Sequence, residues 1–124
     1  MEGTIDKRQQ LENILKELRN VRDIIGSAIA RVDGLLIAAD LPAEVNSKAV
    51  AAMAAAIVGT SETTIQEFKI GNFQQVIVNA TEGQYVCIKA GEDAILISLI
   101  KKDANLGLVL LEMEKQAKKI ERLM

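Results

Sequence analysis

Residues 46–66, NSKAVAAMAAAIVGTSETTIQ, carry charge only at Lys48 and Glu62, and the 13 residues between them carry none. Alanine at this density predicts a helix, and Asn46 is its expected N-cap. A surface helix of a small protein normally shows one apolar stripe and one charged face. Here a period of about 100° per residue places Val50, Met53, Ala54, Ile57, Ser61, Thr64 and Ile65 on one broad arc, expected to rest on a sheet. The opposite arc holds only small residues: Ala52, Ala55, Ala56, Gly59 and Thr63. Helix propensity alone does not explain this arc. Lysine and glutamate are nearly as good as alanine and are missing, while Gly59 costs ~1 kcal/mol in a helix interior. A helix with two uncharged faces needs two surfaces to pack against. The chain supplies one, and the second is expected to come from another chain.

The remaining elements build around this helix. Leu11, Ile14, Leu15, Leu18 and Val21 recur at three- and four-residue spacing, so 6–22 reads as an amphipathic helix with one buried face. Two short apolar runs, Ser27–Val32 and Leu35–Ala39, flank Asp33-Gly34, which predicts a two-residue hairpin turn with both central residues at positive φ. Pro42 closes the second strand. Residues 70–100 read as an antiparallel meander of Phe73–Asn79, Gln84–Ala90 and Ala94–Ile100, with turns at 81–83 and 91–93. The run AILISLI is apolar almost throughout and should lie centrally, covered on both faces. Segment 70–81 has no charge at all. As a sheet edge it would lack the lysines and prolines that protect an open edge, so it either lies inside the sheet or is covered by another chain. A last helix starts near Asp103 or Asn105, with Leu106, Val109, Leu110, Met113, Ala117 and Ile120 as its stripe. The order α-β-β-α-β-β-β-α fits an α/β fold: a three-layer α/β/α sandwich with a five-stranded antiparallel sheet, one domain over 1–124.

Composition narrows the function. The net charge of −2 and the scarcity of aromatic residues (Phe68, Phe73, Tyr85) argue against nucleic acid. The chain has no histidine, which removes Ser-His-Asp and Cys-His catalysis and the commonest zinc ligand. The single Cys87 reads as a small buried hydrophobe on a strand. The polar start, MEGTIDKRQQ, is not a signal peptide, and no apolar run approaches the ~20 residues of a membrane span. A cytoplasmic location is expected, with no membrane insertion. Lys115, Lys118, Lys119 and Arg122 are interleaved with Glu112, Glu114 and Glu121, which reads as a solvated face of the last helix. No catalytic residue, metal ligand set or cofactor is assigned.

Four segments together resemble the roadblock family. The hairpin Ile25-Gly26-Ser27-Ala28-Ile29-Ala30-Arg31-Val32-Asp33-Gly34-Leu35-Leu36-Ile37-Ala38 is similar to the family's first hairpin, and Val50-Ala51-Ala52-Met53-Ala54-Ala55-Ala56 to its central helix. Ala90-Gly91-Glu92-Asp93-Ala94-Ile95-Leu96 resembles its last turn and strand, and Asn105-Leu106-Gly107-Leu108-Val109 the opening of its last helix. The resemblance implies a profilin-like roadblock fold, with the Ala-rich helix alone on one sheet face and the terminal helices on the other. It also implies a two-fold homodimer in which the Ala-rich helices pair and the strands at 73–79 join into a ten-stranded sheet. On that reading Ala52, Ala55, Ala56, Gly59, Thr63, Phe73, Val76 and Val78 lie at the dimer interface.

Members of this family bind or regulate Ras-like small GTPases, MglB-like members as GTPase-activating partners, or serve as scaffold subunits in Ragulator-like and dynein-light-chain-like complexes. The implied function is a non-catalytic homodimeric partner of a Ras-like GTPase. The chain lacks a GxxxxGK[ST] phosphate loop of its own. Arg19, Arg22 and Arg31 are the arginines clear of the last helix, and none is assigned as a finger. A passive scaffold is the alternative, and a small-molecule sensor domain a weaker one.

Overall fold

The structure, a computed structural model, describes residues 6–124. Residues 1–5, the start of the polar N-terminal segment, lie outside that range. Helix α1 spans Lys7–Arg19, and the Asp6 carboxylate caps it by accepting from the Gln9 amide at 2.8 Å. The helix ends two residues before the last position of the apolar periodicity, Val21. Asn20 and Val21 turn back onto the carbonyls of Glu17 and Leu18, and Asp23 takes a positive φ of 79° to aim the chain into the sheet.

Strands β1 (Ile24–Arg31) and β2 (Leu36–Asp40) form the first hairpin. The expected two-residue turn is replaced by a wider one. Only Gly34 has positive φ (99°), while Asp33 does not. The Gly34 amide donates to the Arg31 carbonyl, and the Asp33 carboxylate accepts from the Arg31 guanidinium at 2.8 Å. One glycine in the left-handed region at the end of a longer loop is the alternative geometry for a tight hairpin.

Helix α2 spans Ser47–Phe68, with Asn46 as its N-cap accepting from the Ala49 amide. Strands β3 (Gln75–Ala80), β4 (Gly83–Ala90) and β5 (Ala94–Lys101) make the meander, and α3 (Leu106–Leu123) closes the chain. Asn105, not Asp103, caps α3. Its side chain accepts from the Leu108 amide, whereas Asp103 sits at a positive φ of 61°. The sheet is antiparallel throughout, in the order β2-β1-β5-β4-β3. The apolar run in β5 therefore occupies the centre, as its composition requires.

The two faces of the sheet hold different cores. On one, Leu11, Leu15 and Leu18 of α1 and Met113 and Ile120 of α3 close over Ile29, Leu96 and Ile100. Each such side chain contributes ~1.5–3 kcal/mol when fully buried. Within this face Ser27 and Ser98 share a buried hydroxyl hydrogen bond of 2.8 Å across β1 and β5. On the other face Ala51, Ala54 and Val58 of α2 pack on Ala28, Ala30, Cys87, Ile95 and Ile97. Alanine facing alanine lets the helix axis approach β1 closely. Cys87 is fully buried there, and burial pushes its thiol up to about 12.

Two predictions follow from this packing. A Cβ at Gly26 would run into the Asp40 carbonyl oxygen of the neighbouring strand, so Gly26→Ala should destabilise the protein by ~1–3 kcal/mol in denaturant unfolding. An unchanged midpoint would contradict that approach. Cys87 should resist a thiol reagent at about pH 8 in the native protein and react once the chain is unfolded. Rapid native labelling would show that the α2 layer does not seal it.

Candidate protein-interaction surface

Five strands at ~4.8 Å spacing span about 19 Å, whereas a helix with its side chains covers about 10 Å. Two helices cover the α1/α3 face. The α2 face has only one, and that helix lies obliquely. Near its start, Ala52 stands by the β1–β2 hairpin, where a Cβ on Gly34 would meet the Ala52 Cα at 3.5 Å. Toward its end, Glu62 accepts from Lys89 of β4 at 3.1 Å. The part of the sheet beside the start of α2, over β4 and β5, is left bare. It forms an apolar recess of about 250 Å³, walled by Val50 and Met53, floored by Tyr85 and Leu99, and bounded by Leu41 and Val45.

The helix is rotated from the sequence expectation. The residues that reach the sheet are Ala51, Ala54 and Val58, with Ala55 half-buried beside them. Met53, expected in the core arc, is 70% exposed, and Thr64 is exposed too. The rotation has a steric cause. The sheet beneath presents Ala28 and Ala30, so the small residues of α2 seat there and its larger ones turn to the flank. Of the small-residue arc, Ala52, Ala56, Gly59 and Thr63 are exposed along one stripe, and Ala55 turns inward.

The other named positions lie on or near β3. Val76 and Val78 are half-buried on the α2 face, and β3 forms an open edge of the sheet. Phe73 precedes the strand, which starts at Gln75, and packs half-buried against the α2-side core. The β3 residues thus share the sheet face of α2. The flank of α2 turned toward them carries Val50, Met53 and Ile57, while Ala52 stands on the side of the hairpin.

Phe68 and Ile70, 69% and 70% exposed at the end of α2, were missed by the sequence reading. A signal existed: Phe68 is 18 residues after Val50, five full helical turns, and so lies on the same flank.

Several charged groups tie elements of the fold together. Arg19 forks onto Asp40 with contacts of 2.7 and 3.1 Å, tying α1 to β2, and Arg31 pairs with Asp33. On the far face the Glu17 carboxylate accepts from Gln116 and Lys119, contacts that hold it below the ordinary glutamate range. Among the described residues no group of histidine, cysteine or carboxylate side chains is placed to hold a metal ion, and no helix is long and apolar enough to cross a membrane. What the α2 side offers is surface: a helix uncharged over residues 49–61, an apolar recess and an uncharged strand edge.

Comparison with known proteins agrees with this architecture. Residues 10–100 match the Roadblock/LC7 domain. The uncharacterized protein MJ1340 of Methanocaldococcus jannaschii is 36% identical over 111 residues, which cover 90% of this chain and 96% of that one. Among solved structures, Myxococcus xanthus MglB superposes with a TM-score of 0.85 at 14% identity, covering 99% of this chain and 97% of that chain. An MglB described as having a tetrameric arrangement gives a TM-score of 0.85 at 17% identity, covering 97% and 91%. With the domain match spanning most of its length and its helices and strands in the order of that fold, the chain belongs to the Roadblock/LC7 family.

Proposed function

We propose that this protein is a homodimeric, non-catalytic partner of a Ras-like small GTPase, assembled through the α2 side of its sheet. The observation that carries the dimer is the coincidence, on one face, of an uncovered apolar recess and an open strand edge whose surroundings, 70–81, lack any charge. An unprotected edge of this kind pairs with another chain. A closed two-fold arrangement satisfies both features with one self-complementary contact. In the seam proposed here Val76, Val78 and Phe73 come together with Ala56 and with Met53 and Ile57. Ala52, Gly59 and Thr63 continue the exposed stripe on the outer side of the helix, where a GTPase has an uncharged platform to dock. Ala55 supports that platform from beneath.

The GTPase assignment is supported by family membership and by the resemblance to MglB. The protein on this reading acts by positioning the GTPase's own groups, not by supplying chemistry. A scaffold role draws on a separate feature. Leu111 is 61% exposed on α3, on the opposite side of the molecule, where a larger subunit has an apolar anchor.

Met53→Glu and Ala56→Glu place bulk and unpaired charge in the seam at exposed positions that the protomer's own core does not use. Each should weaken dimerisation by ~100-fold, about 3 kcal/mol, as read by light scattering across a dilution series. Wild-type-like elution of both variants, or a monomeric wild type, would sink the pairing. For the GTPase, binding should depend on whether GTP or GDP is loaded, and single-turnover hydrolysis should change on addition of the protein. Binding indifferent to nucleotide would favour the scaffold. No binding to any small GTPase of the same genome would remove the GTPase assignment.

A further inference from the structure

Phe68 and Ile70 are the most exposed large apolar side chains near the end of α2, and they are held in place. Lys69 between them adopts the left-handed conformation (φ 57°, ψ 47°). Its amide donates to the Gln66 carbonyl and the Ile70 amide to the Ile65 carbonyl. This is a closed helix C-cap, so the two side chains project from a hydrogen-bonded end. Within the described residues of its own chain Phe68 has nothing to cover it. The apolar recess at the other end of α2 has the opposite deficiency. At about 250 Å³ it is smaller than the ~300–1,000 Å³ of ordinary ligand pockets, and it brings no convergent polar groups together.

The topology relates the two. Phe68 lies seven residues before Gln75, where β3 starts, so the end of α2 and the start of β3 are neighbours. Antiparallel pairing of β3 with a second copy, the reading proposed above and the one on which this inference rests, sets the start of the partner's β3 beside Val78 and Ala80. From Val78 the register runs inward to Tyr85 and then to Leu99, the floor of the recess. The partner's helix end is thereby delivered to the mouth of the recess, and two-fold symmetry repeats the contact on the other side. We propose that Phe68 of each protomer seats in the recess of its partner, against Met53, Tyr85 and Leu99, forming two reciprocal locks at the ends of the α2 seam. The occupant of the recess is a second copy of this chain. A buried aromatic in a pocket is the kind of residue that dominates an interface.

Phe68→Trp introduces the only tryptophan of the chain. Its emission should be blue-shifted where light scattering reports a dimer, and should move to the red on dilution with the same midpoint. Phe68→Ala should weaken the dimer at least tenfold, and Lys69→Ala, between the two apolar residues, should not. A dimer whose tryptophan stays solvent-like at every concentration would overturn the lock and leave the pairing standing. A blue emission that ignores dilution through the dimer midpoint would place the side chain within its own protomer, again overturning the lock. Absence of any dimer would remove lock and pairing together. Phe68→Ala dimerising as tightly as wild type would likewise end the proposal.

Discussion

One helix is too narrow for one face of a five-stranded sheet, and the rest of the molecule follows from that mismatch. The α1/α3 face is closed by two helices and is finished within the protomer. The α2 face is closed over β1 and β5 by an alanine-lined contact and left open at the recess over Tyr85 of β4 and Leu99 of β5. The close approach that seals Cys87 and Ile97 is the same one that draws α2 away from the far corner. Small residues therefore determine both what the chain buries on this face and what it leaves exposed.

The periodicities carried most of the fold. Alternation and apolar runs located all five strands, and β5 lies in the centre because AILISLI has no polar face to show. Element ends were less legible, since they are set by backbone geometry at single residues. Asp23 and Lys69 turn the chain at positive φ without being glycines, and the Asp33-Gly34 pair makes a wider turn than its dipeptide implies. The site was legible in kind but not in orientation. An uncharged helix was plain from residues 49–61. Which of its faces would meet the sheet depended on Ala28 and Ala30, which lie on a strand more than twenty residues away, and no helical wheel contains them. Periodicity therefore puts Met53 in the core arc, whereas it stands on the flank.

The functional reading follows the same division of the molecule. Charged groups tie elements together, as in Arg19 with Asp40 and Lys89 with Glu62, and the middle of α2, residues 49–61, carries no charge. An uncharged, partly apolar surface suits recognition of another protein. Family membership supports a small-GTPase association in general, and the α2 and β3 seam proposed above is one place for such contacts.

Amide hydrogen exchange along β3 tests the central claim, that a second copy completes the α2 face, without altering a residue. Within Gln75–Ala80 the amides not bonded to β4 face outward from the sheet. Paired with another chain they should exchange slowly at high protein concentration and lose that protection on dilution. The contrary result is fast exchange of the outward amides at every concentration while those bonded to β4 stay protected, which would mean that β3 is an open edge and that the protomer stands alone.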